Sequence, residues 1–237
     1  FRMSSLTYEN CPPPLLSIEQ GRYANSLEGN MGYPKRLVVP GLAHHVTQRG
    51  NARRQIFCER QDYLRYMACL KLQLMRHKVG LVAFCLMPNH IHLALVPQDE
   101  TSMSEALGRA HLSYAQGLNR RMGSSGHVWQ GRYYSCPMEE SHLYRAMRYI
   151  EMNPVRAGIA EDPCEYEWSS ACFHAGKVKA PPILDLQPLD DAWKDLDWKA
   201  YLGEREAEQE RALLRQCTAL GLPWGSPEFA ERFKPTE

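Results

Sequence analysis

The hydrophobic pattern changes period along the chain, and the changes mark its elements. LAHHVTQRG (42–50) reads as a strand ending at Gly50. LVAFCLM (81–87) and HIHLALV (90–96) read as two more, joined at Pro88-Asn89, a pair suited to a tight turn. Between the first and second strands, Tyr63, Met67, Leu70 and Leu74 recur at helical spacing, with Gly80 just past the end. SMSEALGRAHLSYAQGLNRRMG gives a second helix, with Ser102 or Ser104 as its cap and Gly123 closing it. HVWQGRYYSCPM (127–138) suggests a fourth strand, and ESHLYRAMRYIEMNP a third helix stopped by Asn153-Pro154.

The order β-α-β-β-α-β is that of an α+β, ferredoxin-like fold: an antiparallel sheet with helices on one face. Residues 1–33 show no lasting period and contain the proline-rich NCPPPLLS, so a disordered N-terminal extension is expected there. Met31 in MGYPKRLVVPG reads like a natural start. The compact domain is expected over 34–176. From 177 to 237 a proline-bearing linker, KVKAPPILDLQPLDD, leads into a C-terminal helical extension, with a polar helix from Trp198 to Leu220.

Composition adds bounds. Over 237 residues, 44% hydrophobic and 23% charged content suit a globular protein with a real core. No run approaches the roughly 20 apolar residues of a membrane helix, and no signal peptide is evident, so no membrane partner is expected. Eight cysteines without a C-x-x-C pair favour free thiols in a reducing cytoplasm. The net charge of +1 hides a segregation. Residues 31–58 carry Lys35, Arg36, Arg49, Arg53 and Arg54 with no acid, and residues 106–138 carry Arg109, Arg120, Arg121 and Arg132 with none. Acids gather between Asp185 and Glu210. A basic middle is a surface for phosphates, although a charge bias is often only a solvated face.

The candidate chemistry sits in LMPNHIHLALVP. Residues two apart on a strand share a face, so His90, His92, Ala94 and Val96 lie on one side and Ile91, Leu93 and Leu95 on the other. Two imidazoles about 7 Å apart suit one divalent cation; equally, they suit partly buried histidines bonded to backbone carbonyls. The second helix carries the stripe Met103, Leu107, His111, Tyr114, Leu118, which puts a histidine and a tyrosine where the helix should meet the sheet. A metal and nucleophile site between helix and sheet is the functional reading.

With these residues in view, MPNHIHL resembles the HUH signature of the single-tyrosine transposases, an IS200-like family. HLSYAQGLNRR…GHVWQGRYYSCPME and RYIEMNPVRAG resemble the segments that follow it in REP-associated tyrosine transposases. The resemblance runs from about Lys35 to Gly176. It implies the HUH endonuclease fold, with His90 and His92 holding Mg²⁺ or Mn²⁺. It implies as partner single-stranded DNA carrying a hairpin (a palindromic repeat), cleaved and rejoined through a 5′-phosphotyrosine and a free 3′-OH. Tyr114 is the matching nucleophile. Relatives take a third ligand one turn after the tyrosine; Leu118 stands there, which leaves His111, on the same helical face, or Asn119, some 140° away at 100° per residue.

For DNA binding, Arg53, Arg54, Arg120, Arg121, Arg132, Arg145 and Arg148 are the candidates for phosphates. Trp129, Tyr133 and Tyr134 are the candidates for stacking on unpaired bases, with Trp129 equally suited to the core. His44 and His45 are expected to be structural. The chain has no phosphate-binding G-x-x-x-x-G-K-[ST] loop, no third histidine at position 94 for a histidine-triad hydrolase, and no zinc spacing. The alternative is a domesticated, non-catalytic DNA-hairpin-binding protein. A homodimer stays open, since mobile-element relatives swap the tyrosine helix between protomers. The expected location is the bacterial cytoplasm, at the nucleoid.

Overall fold

The structure, a computed structural model, describes residues 35–179, 181, 183–189, 192–204 and 207–233. The chain divides into Phe1–Arg36 and Leu37–Glu237. The segment 1–33, expected to be a disordered extension, lies outside the described residues.

In the second unit β1 (His44–Arg49) leads to α1 (Arg60–Arg76), β2 (Gly80–Met87), β3 (His90–Val96), α2 (Ser102–Met122) and β4 (Tyr134–Pro137). The four strands form one antiparallel sheet in the order β2-β3-β1-β4. This is the expected α+β, ferredoxin-like arrangement. The fourth strand is shorter than the sequence pattern, because Trp129 makes only an isolated bridge to Gly50.

α1 and α2 pack on the face that carries Val46, Phe84, Leu86, Ile91, Leu93 and Leu95, and their apolar stripes supply Tyr66, Leu70, Leu74, Met103, Leu107, Ala110 and Leu118. The two helices are tied by Arg121, which donates to both oxygens of the buried Asp62 at 2.7 Å. α2 is capped by Asp99 rather than by a serine: its carboxylate accepts from the Thr101 and Ser102 amides at 2.8 Å. Gly123, at φ +59°, closes it as expected.

The other face is also covered. α3 (Leu143–Glu151) packs on it, followed at once by α4 (Asn153–Arg156), where Pro154 opens a new turn. α5 (Ala171–His174) and the segment before it seal the β2 edge, where Ser170 N–H donates to Phe84 O, Phe84 N–H donates to Ser170 Oγ, and Leu86 N–H donates to Trp168 O. The region from 177 onward holds α6 (Ala192–Asp195), α7 (Trp198–Gly203), α8 (Glu208–Leu220) and α9 (Pro227–Glu231). The expected polar helix Trp198–Leu220 is thus two, parted after Gly203. α8 lies against β4 and β1, with Leu214, Cys217 and Thr218 buried. Beneath α3, the buried Glu151 carboxylate accepts from Ser170 Oγ and from Trp198 Nε1 at 2.7 Å, and meets His174, so α3, α5 and α7 share one polar anchor.

Candidate functional site

The sheet decides which predicted residues meet. Because side chains alternate along β3, the bulky Ile91, Leu93 and Leu95 go to α1 and α2, while His90, His92 and Ala94 face α3. The register sets His45 of β1 beside Ala94, Thr47 beside His92 and Arg49 beside His90, so all of these share one face. The rings of His90 and His92 stand at 80° with centroids 5.0 Å apart.

Both rings are held through Nδ1. His90 Nδ1 lies 2.6 Å from Asn89 Oδ1. His92 Nδ1 lies 2.9 Å from His45 Nε2, and the His45 ring stacks on His92 at 5.2 Å. In each case Nε2 is the atom a ligand would take. Burial lowers the pKa of His45 and of His90 to about 3, and burial with the neighbouring His90 lowers that of His92 well below the ordinary value. All three imidazoles are therefore neutral at physiological pH, the form that binds a metal ion.

α3 carries the tyrosine of this face. Ala146, Tyr149, Ile150 and Asn153 follow one another at helical spacing, and the Tyr149 ring meets His92 edge-on at 5.7 Å and His45 at 5.6 Å. Asn153 holds the end of the helix, its Nδ2 donating to Tyr149 O and Ile150 O at 3.0 Å. The short α4 then returns Arg156 over the tyrosine ring, 4.4 Å from its centroid. From α8, Arg215 lies near the Tyr149 side chain and pairs with Glu208 at 2.8 Å. The face thus joins three imidazoles, one phenol and the cations Arg49, Arg156 and Arg215.

Tyr114 is elsewhere. It projects from α2 into the opposite core, with its hydroxyl donating to Ile56 O and its ring among Phe57, Tyr66 and Trp129. Burial and the nearby Asp62 push its pKa far up. The sheet itself separates it from His90 and His92, because α2 packs on the bulky apolar face of β3. The same geometry removes both candidate third ligands. His111 Nε2 meets Tyr66 Oη at 3.1 Å on the α1/α2 side, and Asn119 donates to Gly126 O at 2.9 Å beside the end of α2. Among the described residues, no group of three or more His, Cys, Asp or Glu is placed to hold a metal ion.

The predicted binding residues divide. Arg53 and Arg54 are exposed on the turn after β1, where Ala52 and Arg53 adopt φ of +50° and +58°. That turn adjoins the histidines: Gly50 N–H donates to Asn89 O at 2.9 Å. Arg120 and Arg132 are exposed as well. Arg121 is committed to Asp62 and Glu59, Arg145 to Glu210 at 2.7 Å, and the buried Arg148 to Glu204 and the Tyr201 ring. Their charge is matched inside the chain. Trp129 packs on His111 and donates to its carbonyl at 3.0 Å, and Tyr133 is buried, so neither ring offers a stacking face; Tyr134, 49% exposed on β4, does. His44 is structural as expected, donating to Leu42 O and accepting from Val39 N–H. His45 is not: it belongs to the site.

Residues 38–153 match the family model described as "Transposase IS200 like". Over that segment the chain is similar to this family. The fold resembles a solved REP-associated tyrosine transposase bound to a REP hairpin, with a TM-score of 0.50 and 18% identity, covering 75% of this chain and 100% of that one. A crystal structure from Deinococcus radiodurans, provisionally named a transposase, is 21% identical with a TM-score of 0.35, covering 53% of this chain and 96% of that one. No curated protein matches the sequence.

Proposed function

We infer that this chain cleaves and rejoins single-stranded DNA beside a hairpin, with Tyr149 as nucleophile and His90 and His92 as ligands of a divalent cation. The observation that supports it is the contact of the Tyr149 ring with His92 on one face of the sheet. The solved transposase bound to a REP hairpin supports a hairpin as the DNA partner.

The donor set fits a Mg²⁺ or Mn²⁺ ion, since two neutral imidazoles present Nε2 while Nδ1 of each is engaged. Such an ion supplies Lewis-acid polarisation of the scissile phosphate when bound. The chain's own residues do the rest. The Tyr149 hydroxyl gives up its proton to water and its oxygen attacks phosphorus; the Oη–P bond forms as the P–O3′ bond breaks, and the leaving 3′ oxygen takes a proton from water, leaving a 5′-phosphotyrosine and a 3′-OH. Arg156 over the ring and Arg215 nearby bring positive charge to the place where the phosphate's negative charge must be met. The covalent bond keeps its energy, so a 3′-OH reverses the step. Arg53, Arg54 and Arg132 hold backbone phosphates near the His90 end. Tyrosine and histidines come from one chain, so no exchange of helices in a homodimer is needed to assemble them.

A binding-only role is the second reading, favoured by the burial of Tyr149, 6% exposed, and of His92, 6% exposed. The two readings part when the protein meets labelled hairpin oligonucleotides and Mn²⁺. The proposed function requires a denaturant-resistant protein–DNA adduct that depends on the metal. Binding without adduct on every hairpin tried leaves the second reading.

A further inference from the structure

α8 lies beyond residue 153, where the family match ends, yet it reaches the histidines. Thr218, 2% exposed, lies with Oγ1 2.7 Å from His45 Nδ1. Its single hydroxyl proton goes to Leu214 O, also at 2.7 Å, the usual bond of a threonine to the carbonyl one turn back. Toward His45 the oxygen can then only accept, so His45 carries its ring proton on Nδ1. A neutral imidazole with its hydrogen on Nδ1 has a lone pair on Nε2, so the proton between the two rings comes from His92 Nδ1 at 2.9 Å. His92, neutral in turn, has a bare Nε2. Cys136 Sγ, 3.3 Å from Thr218 Oγ1, completes the pattern as a donor. Reversing any proton reverses all of them and puts a hydrogen on His92 Nε2, which closes that atom to a cation.

We propose that Thr218, on a helix outside the transposase domain, is a positioning residue for the His90/His92 centre: through His45 it fixes the tautomer and the ring orientation of His92. The role rests on His92 being a ligand, as in the proposed function, while the tautomer itself does not depend on that reading.

The test uses the full chain, metal-free, with ¹⁵N-labelled histidine. Long-range ¹H–¹⁵N correlation spectra show which ring nitrogen carries hydrogen. Wild type should show His45 and His92 both protonated on Nδ1. Thr218→Val removes the acceptor and should mix the tautomers of both rings and weaken Mn²⁺ binding by about 10-fold or more; Thr218→Ser should restore both. A wild-type His92 protonated on Nε2 would overturn the proposal, and so would a Thr218→Val protein with unchanged tautomers and Mn²⁺ affinity. If Thr218→Val does not fold, the wild-type and Thr218→Ser spectra decide. Expected tautomers in a protein that forms no DNA adduct would sink the cleavage reading and leave the positioning role in place.

Discussion

Tyr149 and His92 meet edge to face, with ring centroids 5.7 Å apart at 84°, on the side of the sheet that α3 covers. That single contact separates the candidate chemistry from the core under α1 and α2. It also makes Tyr114 and Tyr149 opposite experiments.

Tyr114→Phe should leave adduct formation intact. It removes one hydrogen bond to Ile56 O from a packed core, a loss of about 1–2 kcal/mol once the unpaired buried carbonyl is counted. Denaturant unfolding measures the stability, and a gel under denaturing conditions measures the adduct. Loss of adduct with the fold intact would return the nucleophile to α2.

His90→Ala should abolish cleavage while hairpin binding stays within about 3-fold of wild type, because ligation and phosphate contacts are separate contributions. The mutation at His90 is the cleaner of the two, since removing His92 also strands the buried His45 Nε2. Undiminished cleavage by His90→Ala in Mg²⁺ would contradict the metal assignment.

The arginines should fall into two groups. Arg53→Ala and Arg54→Ala, on the exposed turn, should each lower the log–log salt slope of DNA binding by roughly 0.7–0.9. Arg121→Met should leave that slope unchanged and cost roughly 2–3 kcal/mol of stability, less than a fully buried pair because Arg121 is 25% exposed over an Asp62 carboxylate that is 1% exposed. A changed slope for Arg121→Met would mean that its charge faces DNA after all.

Much of this was legible from residue patterns. The three longer strands, both core helices and the turn at Pro88-Asn89 follow from periodicity and punctuation. The stripe Met103, Leu107, His111, Tyr114, Leu118 was also a true core face. What periodicity withheld was which face of the sheet that stripe would cover. β3 is buried on both sides, so its alternation names two faces without ranking them. A physical signal did exist: Ile91, Leu93 and Leu95 fill a layer between sheet and helices, whereas His90, His92 and Ala94 are too small and polar to receive two leucine-rich helices. Tyr149 lay unremarked in RYIEMNPVRAG, where the spacing to Asn153 now explains how the helix end aims it. Thr218 and His45 come together across 173 residues, and no local pattern reports such a meeting.

The buried histidines make stability fall with acid. His44 has its pKa lowered to about 4, and His45 and His111 to about 3, in each case chiefly by burial. Their folded values lie below the unfolded value of about 6.5. As pH falls through that value, the unfolded chain gains protons that the folded one refuses. Between about pH 6.5 and 4 each such histidine therefore lowers stability by up to about 1.4 kcal/mol per pH unit. Urea unfolding at pH 7.5 and 5.5 should show a clear loss at the lower pH. Equal stability at both would mean that these rings protonate in the folded state.

The most direct test of the account is where DNA becomes attached. Wild-type protein, incubated with a 5′-end-cleavable hairpin oligonucleotide and Mn²⁺, is digested with protease and the DNA-linked peptide is sequenced by mass spectrometry. The account predicts attachment to Tyr149, in a peptide spanning RYIEMNP, and its complete loss in Tyr149→Phe. Attachment to Tyr114, Tyr133 or Tyr134, or an undiminished adduct in Tyr149→Phe, would contradict it.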